Sequence, residues 1–322
     1  MDNEFLLETR NLKKYFPAGA GMTLHALDGI NLRIRPGRTL GVVGESGCGK
    51  STLGKTILRL TEPTDGQIFL NGQEITGMSN AELRKLRPKM QLIFQDPYAS
   101  LNPRMTVEDS IAEPMLVNRM FRTKSEAYGR VDELMETVGL APRNASLFPH
   151  EISGGLRQRV GIARALATNP EFIVCDEPVS ALDVSIQAQI LNLLMDLQEQ
   201  FHMSYLFISH DLSVVKHISH DVAVMYLGQC VESGPTEEIF RHPLHPYTRA
   251  LLDAIPTPTL ATREKEPQII RGEVVSPINP APGCRFAARC PYATEKCREP
   301  QRERELRDGH FVMCCRAEEL TD

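Results

Sequence analysis

One glycine-rich segment constrains the fold more than any other part of the chain. Residues Gly44 to Ser51 read GESGCGKS and satisfy every fixed position of the pattern G-x-x-x-x-G-K-[ST]. The segment follows an apolar run, Thr39 to Val43, and precedes a helical pattern that starts at Lys50. In such a strand–loop–helix unit, free backbone N–H groups and the helix start bind phosphate. A chance glycine turn is the alternative, but four fixed positions in this context disfavour it. The sequence therefore predicts an α/β fold with a site for a nucleotide phosphate.

Each residue type in this loop has an expected role. Lys50 is expected to reach the β- and γ-phosphates, and the Ser51 hydroxyl is expected to ligate Mg²⁺. Cys48 is interpreted as a small filler residue and not as a nucleophile. The predicted nucleotide-binding residues here are Gly44, Glu45, Ser46, Gly47, Cys48, Gly49, Lys50, Ser51 and Thr52.

Two carboxylates follow a second apolar run, Phe172 to Cys175. Asp176 at a strand end can hold the Mg²⁺ shell through water, and Glu177 is placed to polarise an attacking water. An acidic pair there is also a common helix cap. Beside a complete phosphate loop, the functional interpretation is favoured.

Polar residues close two further predicted strands. Gln95, after the strand that begins at Met90, can contact Mg²⁺ or the attacking water through its amide. His210, after Ser204 to Ile208, can donate a hydrogen bond to a γ-phosphate, although a lone histidine after a strand is more often structural.

A second anion-binding helix start is predicted at Ser153, Gly154 and Gly155. An ordinary N-cap followed by glycines would also explain it. One nucleotide needs one phosphate-binding loop per chain. The second one therefore indicates either another site or a site completed by another subunit.

Composition excludes several classes of protein. The 322 residues are 42% hydrophobic and 24% charged, so the chain can bury a large core. Its 36 Lys and Arg against 41 Asp and Glu argue against a nucleic-acid-coating protein. No apolar run approaches the ~18 residues of a membrane span. Met1 to Glu4 lack a basic region before an apolar core, so no signal peptide is expected.

The pattern changes after Arg241, where prolines interrupt the apolar period. We predict an α/β domain over residues 1–240 and a small loop-rich module over 241–322. Five of the eight cysteines lie at or after residue 284. In a reducing cytosol, such a group favours a metal over disulfides.

The motifs taken together resemble the ATP-binding cassette subunit of an ABC transporter. They are the phosphate loop, Gln95, the Ser153 segment, Asp176-Glu177 and His210. The resemblance covers roughly residues 5–255. It implies a RecA-like P-loop ATPase core, an antiparallel β-subdomain and a helical subdomain at about 96–165. It also implies a head-to-tail dimer that holds each ATP between one phosphate loop and the partner's Ser-Gly-Gly segment.

The resemblance also assigns roles to single residues. Glu177 matches the catalytic base, His210 the switch histidine, and Gln95 the glutamine that links nucleotide to membrane partner. Asp183 matches the inter-subunit aspartate. Phe16 lies where the family stacks an aromatic ring on adenine, although Tyr15 is adjacent and a core position is the alternative.

One residue departs from the family pattern. The signature usually reads Leu-Ser-Gly-Gly-Gln, whereas Leu156 follows Gly155 here. The serine and the glycines are intact, so ATP should still bind between two subunits, with a modest effect of Leu156 on turnover.

Further motifs are similar to the dipeptide/oligopeptide importer ATPases, and in particular to the second ATPase of a dipeptide permease. They are FQDPYASLNP from Phe94, EPVSALD from Glu177 and HPYTRALL from His245. In that family two different ATPases, two permease subunits and an external binding protein form one importer at the cytoplasmic side of the inner membrane. The resemblance leaves the identity of the transported solute open, since related systems carry dipeptides, longer peptides, nickel or glutathione.

The importer resemblance extends to the cysteines. Related ATPases carry a [4Fe–4S] cluster on a similar pattern, which implies the ligands Cys284, Cys290, Cys297 and Cys314. Zinc or free thiols are the alternatives, because the spacing is not that of common zinc sites.

Two other functions compete with import. A soluble ABC-type ATPase of DNA repair or translation generally has two cassettes or a long coiled insertion. A P-loop kinase would leave Ser153 to Gly155 and His210 without a role.

Overall fold

The computed structural model describes residues 4–254 and 276–320. Three prolines of the predicted C-terminal module, Pro256, Pro258 and Pro267, lie outside the described residues, as do Met1, Asp2 and Asn3. By its internal contacts the chain divides into two compact units. The first unit comprises Met1–Ile34, Thr39–Thr76 and Ser209–Asp322, and the second comprises Arg35–Arg38 and Gly77–Ile208.

An antiparallel sheet forms the N-terminal part of the first unit, as the family resemblance implies. Its strands are β1 (Leu7–Pro17), β2 (Thr23–Ile34), β4 (Asp65–Leu70) and β5 (Gln73–Glu74), in the order β2-β1-β4-β5. Alternate residues of β1 such as Leu7 and Thr9 are buried, which is the pattern of a strand with one face on a core.

Five other strands of the first unit are hydrogen-bonded side by side. They are β3 (Thr39–Val43), β9 (Asp221–Tyr226), β10 (Gln229–Pro235), β11 (Arg304–Arg307) and β12 (His310–Val312). The parallel β3–β9 pair lies at one side, and β10, β12 and β11 follow with antiparallel pairing. All residues of β3 are buried, as expected of a strand covered on both faces. The C-terminal strands β11 and β12 are thus hydrogen-bonded into the same set of strands as β3.

The first unit has four α-helices within its described residues. They are α1 (Lys50–Ile57), α8 (Leu212–Ile218), α9 (Thr236–Arg241) and α10 (Pro246–Asp253). Helix α10 begins in the HPYT segment, where the His245 ring accepts a hydrogen bond from the Tyr247 N–H at 3.0 Å. Helix α10 and strands β11 and β12 give the predicted loop-rich module more regular structure than its prolines indicate.

The second unit contains three parallel strands, β6 (Met90–Ile93), β7 (Phe172–Asp176) and β8 (Ser204–Ile208), with β7 in the middle. Its helices are α2 (Asn80–Leu86), α3 (Pro97–Ser100), α4 (Val107–Val117), α5 (Lys124–Thr137), α6 (Gly154–Leu166) and α7 (Val184–Phe201). Every residue of β7 and β8 is buried, and the carboxyl end of β7 carries Asp176. Helices α3 to α6 lie in or end just after the segment predicted as the helical subdomain, and α4 packs on both α5 and α6.

Among the described residues, no helix combines the length and the apolar composition that a membrane crossing needs.

Candidate nucleotide site and cysteine segment

The phosphate loop connects β3 to α1 and folds around the side chain of Lys50. This side chain is buried, and its Nζ donates to the carbonyl oxygens of Gly44 at 2.8 Å and Glu45 at 3.0 Å. Helix α1 has Gly49 at its N-cap, so no side chain caps its first N–H groups. A buried ammonium beside an uncapped helix start is an anion-binding arrangement.

Two loop glycines are required by close backbone approach. A Cβ at Gly44 would lie 2.1 Å from the Met225 carbonyl oxygen, and one at Gly49 would lie 2.3 Å from that of Ala26. Gly49 also has φ of 107°, a conformation that other residues rarely adopt. The glycines therefore let the loop lie against the neighbouring strands.

Cys48 packs inside the loop, as the sequence predicts. It is buried, and burial raises the pKa of its thiol. A buried thiol kept in its protonated form is a poor nucleophile.

Glu45 is fixed by two residues that are distant in sequence. Its N–H donates to the Tyr247 Oη at 3.0 Å. Its carboxylate accepts from both terminal nitrogens of Arg289, at 2.9 and 3.2 Å. The α10 start and the cysteine-bearing tail thus both reach the phosphate loop.

The two neighbouring aromatic residues of β1 have different surroundings. The Tyr15 ring stacks on His25 with a centroid distance of 4.0 Å, and its hydroxyl donates to Asp28 at 2.5 Å. Burial and this carboxylate raise the pKa of Tyr15. Phe16 contacts the Lys14 ammonium at 4.7 Å and is half-buried. Because Tyr15 is engaged within the unit, Phe16 is the better candidate for an adenine contact.

His210 is an exposed residue that lies between β8 and α8. The next residue, Asp211, caps α8 by accepting from Ser213 and Val214 N–H groups. The imidazole is therefore presented at a strand end and is not part of a core.

In the second unit, the structure brings Gln95 and Glu177 together. The Gln95 Nε2 donates to the Glu177 Oε2 at 3.0 Å. Glu177 directly follows Asp176 and has φ of 46°, in the left-handed region, while its N–H donates to the Ile208 carbonyl at 3.0 Å. Such strained backbone persists where the surroundings hold it, often at functional sites.

Ser153 caps helix α6, as predicted, by accepting a hydrogen bond from the Leu156 N–H at 3.4 Å. Ser153 is exposed, whereas Leu156 is half-buried. The cap uses the backbone N–H of Leu156, which a glutamine at this position would also supply.

Leu156→Gln is expected to raise the ATPase rate of the assembled transporter less than tenfold, because the cap and both glycines stay in place. A tenfold rise corresponds to about 1.4 kcal/mol in the barrier. Steady-state ATPase measurements on matched complexes test this, and a larger rise would contradict it.

Gly155 is fixed by contact with helix α7. A Cβ there would lie 2.7 Å from the Ile186 Cγ2, whereas a Cβ at Gly161 on the same helix meets nothing within 4 Å. Gly155→Ala is expected to lower the free energy of unfolding by about 1–2 kcal/mol through overpacking. The matched control Gly161→Ala is expected to raise it by up to about 1 kcal/mol through helix propensity. Thermal unfolding of both variants tests this, and a shift in the same direction would contradict it.

Asp183 is the N-cap of α7. Its carboxylate accepts from the Ile186 N–H at 3.0 Å and from the Ser185 hydroxyl at 2.8 Å. These hydrogen bonds lower the pKa of Asp183. The carboxylate is exposed and ionised, so a capping role and a subunit contact are compatible.

The C-terminal cysteines line one small pocket in the first unit. Also among its lining residues are His245, Tyr292 and Arg316. The cysteines that line it are Cys284, Cys290, Cys297, Cys314 and Cys315. All eight cysteines of the chain lie in the described part and are free thiols.

The thiols of this pocket differ in their ionisation. Burial raises the pKa of Cys284 to about 12 and also raises that of Cys314. Burial has the same tendency at Cys297, but hydrogen bonds from Thr294 and Cys315 outweigh it and lower the pKa of that thiol. The sulfur atoms of Cys297 and Cys315 are 3.8 Å apart. Across residues 4–254 and 276–320, no three or more His, Cys, Asp or Glu side chains are arranged to hold a metal ion.

Sequence reasoning missed the residues that join the cysteine tail to the rest of the unit. Arg285 contacts Asp28 and the Leu227 carbonyl oxygen, and Arg289 contacts Glu45. Arginines inside a cysteine-spaced segment were the available signal, but nothing local identifies carboxylates more than 240 residues away as their partners.

The sequence patterns of two known families match this chain. The pattern described as "ABC transporter" matches residues 27–180, and "Oligopeptide/dipeptide transporter, C-terminal region" matches residues 231–297. The first match includes the phosphate loop, and the second includes the HPYT segment and three of the pocket cysteines.

Named relatives match over nearly the full length. The chain is 51% identical to the oligopeptide transport ATP-binding protein AppF of Bacillus subtilis, over 97% of this chain and 98% of the relative. It is 49% identical to OppF of Escherichia coli, over 98% and 97%. It is 47% identical to the di/tripeptide transport ATP-binding protein DppF of Pseudomonas aeruginosa, over 98% and 99%.

A solved dimeric structure of a bacterial ABC transporter cassette is also similar. It superposes with a TM-score of 0.66 at 29% identity and covers 71% of this chain and 98% of its own. The chain therefore belongs to the ABC transporter family, within its oligopeptide/dipeptide group, and is an ATPase with the ABC fold.

Proposed function

We propose that this chain hydrolyses ATP to drive import of dipeptides or oligopeptides. The observation that carries this proposal is the coexistence of a complete phosphate loop and a peptide-transporter C-terminal region in one chain. Relatives named as peptide transport ATP-binding proteins match both parts. The proposed domains are a cassette over residues 1–240, with a helical subdomain at about 96–165, and an extension over 241–322.

The residue roles proposed at the nucleotide site are those that the family resemblance implies. The loop from Gly44 to Thr52 would bind the phosphates, and Phe16 would contact adenine. Glu177 would accept a proton from the attacking water, and His210 would contact the γ-phosphate.

The donor set at the predicted metal site fits Mg²⁺, a hard cation that prefers oxygen ligands. Ser51 and Asp176 supply hydroxyl and carboxylate oxygens. Gln95 uses its amide nitrogen for Glu177, which leaves its amide oxygen for the metal. Bound Mg²⁺ would neutralise charge on the phosphates.

A second subunit would complete each ATP site. Helix α6 begins at the exposed Ser153, followed by the half-buried Gly154 and Gly155, and such a helix start is suited to a phosphate. The exposed carboxylate of Asp183 is available to a partner. We infer a head-to-tail pair with a second, non-identical ATPase on two permease subunits, served by an external binding protein. The chain would then be peripheral to the cytoplasmic side of the inner membrane.

Isolation of the native membrane complex through this chain tests the assembly. We expect two permease subunits and a different ABC ATPase to co-purify in equal amounts. Recovery of this chain without any membrane protein, or with a phosphorylated small-molecule product after incubation with ATP, would contradict the proposal.

We also propose that the pocket cysteines hold a [4Fe–4S] cluster, with Cys284, Cys290, Cys297 and Cys314 as ligands. Their thiolates are the donors that such clusters use. A buried nitrogen of His245 that has no hydrogen-bond partner supports the presence of a ligand here. Because the Nδ1 of His245 accepts the Tyr247 N–H, the proton of the neutral ring lies on Nε2, and this atom has no partner although it is buried.

The state of His245 is consistent with that interpretation. Burial lowers the pKa of His245 to about 4, so the ring is neutral and keeps one N–H, and His245 is among the residues that line the pocket. Sulfur atoms of a bound cluster would accept that hydrogen bond, and the cluster would tie the segments that carry the four cysteines to one another.

Iron and acid-labile sulfide analysis of anaerobically purified protein tests the cluster. We expect four of each per chain, as the formula requires, and loss of both in Cys284→Ser. Zinc in place of iron, or neither element, would overturn the cluster and leave the ATPase proposal intact.

A further inference from the structure

The cysteine segment, Cys284 to Cys290, reaches the phosphate loop through one side chain. Arg289 and Glu45 form a two-point ion pair, with N···O distances of 2.9 and 3.2 Å. The side chain of Arg289 is 7% exposed and that of Glu45 is 27% exposed. Such bidentate pairs fix orientation as well as charge.

Three side chains bind Glu45. The Tyr247 hydroxyl accepts from its N–H, Lys50 donates to its carbonyl oxygen, and Arg289 donates to its carboxylate. Glu45 is the first variable residue of the loop, so its position determines where the following N–H groups point.

The charge of Glu45 opposes the function of the loop. An anion-binding loop has a carboxylate within it, and this carboxylate would repel the phosphates of ATP, more strongly where water is excluded. The ion pair with Arg289 offsets the negative charge of that carboxylate. The partly buried geometry protects the pair from the screening that weakens exposed ion pairs.

Arg289 is itself held in place by the segment that carries it. Its Nη1 lies 3.3 Å from the Tyr226 hydroxyl. Phe286, which is buried, packs at 5.3 Å between ring centroids against both Tyr226 and Tyr247. The guanidinium is thus preorganised before any ligand arrives.

We propose that Arg289 is a positioning residue of the nucleotide site, which neutralises and orients Glu45 so that the phosphate loop binds ATP. The inference rests on the proposed role of that loop in ATP binding. It gives the cysteine segment a direct mechanical and electrostatic link to the nucleotide, through the backbone between Cys284 and Cys290.

The test is the dissociation constant of the full-length chain for ATP with Mg²⁺. Arg289→Ala is expected to weaken binding at least about tenfold. Arg289→Lys is expected to have an ATP affinity between those of the unaltered chain and Arg289→Ala. The lysine ammonium is a point charge and cannot form the two-point contact of the guanidinium. The double variant Glu45→Gln/Arg289→Ala is expected to recover most of the loss, since no carboxylate then needs neutralising.

The matched control is Arg307→Ala, which removes a guanidinium from the same module. Arg307 makes an exposed pair with Glu238 at 3.3 Å, and its loss is expected to change ATP binding less than about twofold. Equal losses in Arg289→Ala and Arg307→Ala would show that the tail acts only as a scaffold and would overturn the proposal.

The Glu45→Gln background keeps the test decisive if Arg289→Ala alone does not fold. In that background, Arg289→Ala should change ATP affinity less than about twofold. A full tenfold loss there would overturn the proposal while the loop's role in ATP binding stands. Failure of the unaltered chain to bind ATP would instead overturn both.

Discussion

Glu177→Gln is expected to lower ATP turnover by about 10³-fold or more, while ATP binding stays within about threefold. The substitution keeps the shape of the side chain and replaces only the atom that accepts a proton from water. Gln95 Nε2 now donates to Glu177 Oε2, and the amide oxygen of the variant can accept the same hydrogen bond. Glutamine adopts the left-handed backbone at this position about as readily as glutamate does, so the fold should tolerate the variant.

Turnover is measured on the assembled transporter, and binding is measured on the full-length chain. A matched control is Glu171→Gln, which removes a carboxylate that pairs with Lys89 at 2.7 Å at the surface of the same unit. The control should keep normal turnover. Normal hydrolysis by the Glu177 variant would remove this residue from the role of base.

Lys50→Ala is expected to weaken ATP binding at least about 100-fold, which corresponds to about 2.8 kcal/mol. The ammonium is the buried positive charge of the loop, and its present partners are the Gly44 and Glu45 carbonyl oxygens. ATP phosphates would accept stronger, charge-assisted hydrogen bonds from it. Removal also leaves two inward-facing carbonyl oxygens without that donor, which favours rearrangement of the loop.

Lys55→Ala is the matched control, because Lys55 is exposed in the last turn of the same helix α1. Equilibrium binding of ATP should be unchanged in this variant. Equal weakening in both variants, or unchanged binding in Lys50→Ala, would contradict the assignment of the loop.

The parts of the site that sequence predicts are those that local chemistry determines. Gly44 and Gly49 are needed because backbone atoms lie where their Cβ atoms would be, and Lys50 begins the helix that follows. The strand Thr39–Val43 has the bounds of the apolar run that precedes the phosphate loop. Ser153 caps α6 for the same local reason.

Sequence could not predict the parts that depend on distant contacts. No pattern near Glu45 indicates that Arg289 is its partner, since the pair forms only when the tail folds back on the loop. Strand β12 is three residues long and gives no periodic signal, yet it pairs with β10. The left-handed conformation of Glu177 is equally invisible, because glycine would be the expected residue there.

The buried pair of Glu232 and His310 shows how the tail is attached. The two side chains lie 2.8 Å apart and are fully buried, and the Glu232 carboxylate also accepts from the Leu244 and His245 N–H groups. A glutamate within β10, which reads QCVESGP, does not by itself indicate this arrangement. The C-terminal strand, the HPYT segment and β10 therefore meet at one carboxylate.

The most direct test of the central claim is ATP hydrolysis by the complete importer, reconstituted in lipid vesicles with its external binding protein. We predict that binding protein loaded with a di- or oligopeptide stimulates hydrolysis and drives uptake of that peptide, and that Glu177→Gln abolishes both. Stimulation by nickel or glutathione alone, or hydrolysis that no loaded binding protein changes, would contradict the account.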